Sequence, residues 1–173
     1  MRSTLLAVAL AAVTFTAAQA APVSVAKVSV AIGPELAAQA QTYGQGELDS
    51  LAAELKGDVE HALSRGGGLS ASGGELKLVL VDAKPNRPTF KQLSDRPGLS
   101  MMSFSLGGAR IEARLVQPDG SAQIGRYAWY ETDILLTPHK WTWSDAYWAF
   151  EQFADALAHN PDDLLRKESA KTP

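Results

Sequence analysis

Glu131, Asp133 and His139 come nearest, by type and spacing, to a set of residues that could do chemistry. If the strand carrying the first two persists that far, both carboxylates share one side of it and the imidazole follows. Such a set could hold a divalent cation or run acid–base hydrolysis. The competing reading is a solvated strand end bearing ordinary charges. His61 lies at the edge of an apolar helical stripe, and His159 falls in a last helical turn, where partial protonation suits the dipole. The chain has no cysteine, which excludes thiol nucleophiles and zinc–thiolate sites. It carries no G-x-S-x-G and no H-E-x-x-H, and neither glycine group, 66–68 or 73–74, leads into G-K-[ST]. No cofactor is expected.

Residues suited to binding stand out more than residues suited to catalysis. Trp129, Trp141, Trp143 and Trp148 fall close together, with Tyr127, Tyr130, Tyr147 and Phe150 among them. Trp143 fits a buried helical stripe, and Trp141 can staple the chain against that helix's first turn. Trp129 and Tyr130 point to opposite faces of a strand, so one of them is open to stack on a glycan or another small ligand. Trp148 shares a helix face with Ser144, Asp145, Gln152 and Asp155, and a large ring on a polar face marks a contact surface. Packing under the carboxy-terminal tail is the rival explanation. Lys84, Arg87, Lys91 and Arg96 cluster with Asp95 as the only acid among them, a local basic loop suited to a partner.

The elements that must position these residues follow from periodicity. Val23–Ile32 changes parity midway, which predicts either one strand bulged near Ala26 and Lys27 or a disordered start followed by a shorter strand. Residues 35–46 read as a loop or one frayed turn. From Leu48 to Leu63, apolar residues recur at helical spacing until the glycines at 66–68 stop the helix. Glu75–Ala83 reads as an inner strand, residues 84–100 as a long loop, and 101–106 admit a short strand. Ala109–Val116 alternates clearly, turns at Pro118-Asp119-Gly120 and returns from Ala122 to about Asp133. Thr142 and Asp145 form a T-x-x-D capping box that opens a second helix, ended by Asn160-Pro161. The order β-α-β-β-β-α predicts an α+β fold. Its sheet is mainly antiparallel, of four to five strands, with two helices on one face.

The amino terminus supplies an address. Arg2, an apolar run from Leu5 to Phe15 and Ala18-Gln19-Ala20 read as a signal peptide over residues 1–20, cleaved after Ala20. Residues 21–160 then form a single domain and 161–173 a polar carboxy-terminal tail. Without a cysteine behind the leader no lipid anchor is expected, and disulfides cannot form. No later segment has the length of a membrane span. The expectation is therefore a soluble periplasmic or secreted protein. Its net charge is −3, or −4 once Arg2 is removed, which argues against a nucleic-acid partner.

The run GGARIEARLVQPDGSAQIGRYAW (107–129) resembles the paired strands of several uncharacterised proteobacterial envelope families. With an early strand and an amphipathic helix before it, the layout is similar to the amino-terminal domain of TolB and to lipoprotein activators of penicillin-binding proteins. The missing cysteine departs from the lipoprotein members. The resemblance carries no catalytic residue and implies binding or assembly in the envelope. The leading expectation is a non-catalytic periplasmic protein that binds an envelope protein or cell-wall component through an exposed sheet edge, the 84–100 loop and aromatics near Trp148. A hydrolase built on Glu131, Asp133 and His139, and a glycan binder using exposed aromatics, are the alternatives.

Overall fold

A computed structural model describes residues 23–168. The leader over 1–20, with its cleavage after Ala20, lies outside the described residues, as do positions 169–173 of the expected tail. The fold is α+β. Strands β1 (Val25–Ile32), β2 (Gly74–Lys84), β3 (Gly108–Val116), β4 (Ala122–Tyr130) and β5 (Leu165–Lys167) form one sheet in that order. β1 runs parallel to β2, and the other neighbours are antiparallel. A parallel pair needs a long crossover, here made through the short helices α1 (Pro34–Ala37) and α2 (Ala40–Tyr43) and the long α3 (Gln45–Arg65). Three further helices follow: α4 (Phe90–Asp95), α5 (Ser144–His159) and α6 (Pro161–Leu164).

Alternation along the strands decides which face is covered. Leu76, Leu78 and Leu80 of β2 and Ile111, Ala113 and Leu115 of β3 point to one side and are buried. They meet the α3 stripe of Leu48, Leu51, Leu55, Val59 and Leu63, together with Phe150, Phe153 and Leu157 of α5, in a single core. Each such leucine or phenylalanine stabilises the fold by about 1.5–3 kcal/mol relative to exposure. The two long helices also pack on each other, α3 lying towards β1 and α5 towards β3 and β4. The opposite sheet face is wet, carrying exposed pairs such as Lys27–Glu75 at 3.4 Å and Glu112–Arg126 at 3.1 Å. Of the two readings of β1, the bulged strand is present, with a register shift between Val25 and Lys27.

Several local expectations are corrected. Residues 35–46 hold α1 and α2, because Pro34 presets the first turn and Leu36 is buried beneath it. The long loop 84–100 contains α4, opened by a capping box in which Thr89 Oγ1 accepts from Gln92 N–H and Gln92 Oε1 accepts from Thr89 N–H. Residues 101–106 form no strand. Thr142 does not cap α5; its N-cap is Trp143, without a side-chain cap bond. The expected tail contains structure within its described part: α6 turns the chain, and β5 pairs Arg166 with Ile124 of β4. Leu165 drives this by burying itself in the core.

Candidate functional site

β4 ends at Tyr130, and the next residue shows why. Glu131 Oε1 accepts from the backbone N–H groups of Thr132 (2.9 Å) and Asp133 (3.1 Å), which turns the chain out of the sheet. The strand parity that would have aligned Glu131 with Asp133 is lost there. Asp133 Oδ1 instead accepts from Leu135 N–H at 2.9 Å and caps a 3-10 turn over Ile134–Leu136. His139 is exposed. Among the described residues, no group of three His, Cys, Asp or Glu side chains is arranged to hold a metal ion. Glu131, Asp133 and His139 therefore do not assemble into a metal or acid–base triad.

What forms in its place is a polar clasp. Lys140 Nζ donates to Glu131 Oε2 at 2.8 Å and to Asp145 Oδ1 at 2.6 Å. Asp145 is buried, and its other oxygen accepts from Asn86 Nδ2 and from Gly107 N–H at 3.2 Å. Asn86, also buried, returns the bond by accepting from Asp145 N–H through Oδ1 at 2.9 Å. Its backbone donates to Thr142 O and accepts from Ser105 N–H. Gly107 must be a glycine, because a Cβ there would lie 2.7 Å from Asn86 Oδ1. Hydrogen bonds from Lys140 and from the following backbone hold the Glu131 carboxyl below the usual glutamate range. Burial works against the charge on Lys140, but its bonds to Asp145 and Glu131 outweigh that and raise its pKa. Both groups are kept charged at neutral pH, which suits a clasp and not proton transfer.

Arg87 extends the clasp to the surface. Its Nε donates to Lys140 O at 2.6 Å, one Nη to Met101 O at 2.7 Å and the other to Pro138 O. One guanidinium thus ties the loop after β2 to the loop after β4, side by side at one end of the sheet. The other three cations of the expected basic loop are not gathered with it. Lys84 stacks 5.0 Å above the Tyr130 ring, Lys91 pairs with Asp95 at 2.7 Å, and Arg96 is exposed.

Those fastened loops carry most of the large exposed apolar side chains among the described residues. Phe90, Met101, Met102, Phe104 and Leu106 belong to the first. Ile134, Leu135, Leu136 and Trp141 belong to the second. Among the described residues the other large exposed apolar side chains are Leu69, Ile124 and Trp148. Trp141 is 79 % exposed, so it does not staple α5 as expected; Trp143 takes the buried place, donating through Nε1 to Glu47 at 2.7 Å. No family model and no curated protein matches this chain.

The remaining aromatic candidates separate. Trp129 packs partly into the core, while Tyr130 lies on the wet face with its hydroxyl donating to Asp82 at 2.6 Å. They make no exposed row for a sugar. Trp148 is half exposed on α5, as its position suggests, although Asp145 from the same stretch is buried. It stands in line with Glu151, Gln152 and Asp155, which border a shallow groove against Asp58, His61 and Arg65 of α3. Burial, then the charges of Glu54 and Glu151, push the Asp58 carboxyl up to about 6.

Sequence pattern alone does not gather Asn86, Lys140, Asp145 and the apolar loop residues into a site. A T-x-x-D capping pattern accounts for Asp145, and the apolar residues at 101–106 admit a short strand. The available signal was the clustering of exposed-type apolar residues in segments with no helical or strand period.

Proposed function

We propose that this chain is a non-catalytic, exported envelope protein that binds its partner through the paired loops 86–106 and 131–141. The observation that carries this reading is large apolar side chains held in water on loops fastened by buried hydrogen bonds. Exposed apolar surface of this extent is characteristic of contact surfaces. A surface already held in place costs less ordering on binding. Catalysis gains no such support, because Glu131 and Lys140 neutralise each other and Asp133 is occupied as a cap. The signal-peptide pattern over 1–20 and the envelope-family resemblance of 107–129 support the same reading.

The test is photocrosslinking in intact cells from a photoreactive residue at Leu135, with Lys56 on the solvent side of α3 as the control position. The expected result is an adduct from Leu135 alone, on protein shortened by its leader. Equal labelling at both positions would sink the binding surface, and adducts on uncleaved protein would sink the export assignment.

A further inference from the structure

We infer that the partner of the paired loops is the surface of an anionic lipid bilayer, entered by Phe90, Met102, Leu135 and Trp141. This rests on the binding reading above and names its occupant. These four side chains are 78 %, 76 %, 80 % and 79 % exposed, so each stands free of its neighbours. Interface cores are packed to the density of protein interiors, so a folded partner would have to bring a matched pocket to each of these four side chains. Side chains this free suit a fluid phase that closes around each of them. A tryptophan ring, apolar in body with one N–H, is the side chain most at home at the boundary between headgroups and acyl chains.

Charge supports the choice of lipid. The paired loops over 86–106 and 131–141 contain Arg87, Lys91, Arg96 and Lys140 against Asp95, Glu131 and Asp133, a net of +1. The other described residues hold ten Lys or Arg against sixteen Asp or Glu, a net of −6. An anionic surface would attract the apolar end and repel the rest, which orients the molecule. Backbone chemistry agrees. A loop entering an apolar phase must satisfy its carbonyls without water, and Arg87 already occupies those of Met101, Pro138 and Lys140. Insertion is shallow, since no helix among the described residues is long and apolar enough to cross a membrane.

The experiment is co-sedimentation of the leader-cleaved chain with phosphatidylethanolamine–phosphatidylglycerol vesicles, and with phosphatidylcholine vesicles for comparison. Binding to the anionic vesicles is expected, with a blue shift of tryptophan emission and a several-fold weakening as salt rises. The triple variant M102S/L135S/W141S should bind about tenfold or more weakly, since interfacial binding scales with inserted apolar area. Trp148→Ser, on α5, should bind as the parent does, and circular dichroism should show both variants folded. Equal binding to the two vesicle types, no binding to either, or full binding by the triple variant would each overturn the inference. A protein adduct from Leu135 with no vesicle binding would overturn the bilayer as occupant and leave the binding reading standing. Loss of the adduct as well would remove both.

Discussion

Replacing Asp145 with alanine takes the acceptor from three groups at once: Asn86 Nδ2, Gly107 N–H and Lys140 Nζ. Asn86 is fully buried, so no water replaces the lost bond without opening the loops. We expect Asp145→Ala to cost about 2–4 kcal/mol in urea unfolding, the range for orphaning buried polar partners. Asp145→Asn, which keeps one acceptor oxygen, should cost less. The clasp also has a pH window with a definite sign. The Glu131 carboxyl is lowered, so its contribution is present above the ordinary glutamate value and is lost as pH falls through the folded one. The Lys140 amine is raised, so its contribution is present below the ordinary lysine value and is lost as pH rises through the folded one. Across the neutral range both hold, and the loops stay fastened.

At the scale of elements, the contact between α3 and α5 contains one mismatch. Asp58 Oδ2 is buried without a hydrogen-bond partner among the described residues, and the carboxyl is pushed up to about 6 by burial and by Glu54 and Glu151. A raised carboxyl favours the folded state below its unfolded pKa, and that stability is lost as pH rises through about 6. Ionised Asp58 is therefore a burden at neutral pH. Asp58→Asn should stabilise the protein by about 1 kcal/mol at pH 7.5, after discounting for solvent screening, and by almost nothing at pH 4. Urea midpoints at the two pH values check this; equal gains at both would rule out the titration. The helix itself was legible, because its apolar stripe repeats without interruption from Leu48 to Leu63. Its partner across the interface was not, since no local pattern tells Asp58 that Glu151 lies opposite.

At the scale of the whole molecule, the carboxy-terminal segment closes the sheet. Leu165 is buried in the core, and Gly125 of β4 admits the close approach of that segment, since a Cβ there would sit 2.6 Å from Leu164 O. Leu165→Ala should cost about 2–4 kcal/mol, in the range for a buried leucine, measured by thermal or urea unfolding. A dispensable tail would show no change. This segment read as a tail because Asp162, Asp163, Arg166, Lys167 and Glu168 dominate its composition, and one leucine among them has no period.

Local pattern along the chain specifies the α+β class, the two long helices and the β3–β4 hairpin. In each, neighbours in the chain repeat the same preference, period two or period 3.6, over several turns or residues. It also carried the export pattern of residues 1–20, which is a matter of composition and order. Where Asn86, Lys140 and Asp145 meet, and which tryptophan is covered, follow from long-range packing. Asn86 and Asp145 are separated by 59 positions, and their bond exists because the sheet brings two chain ends of different strands together. Asp145 could cap a helix or anchor a loop with the same local sequence around it. The choice fell to the buried partners that folding supplied.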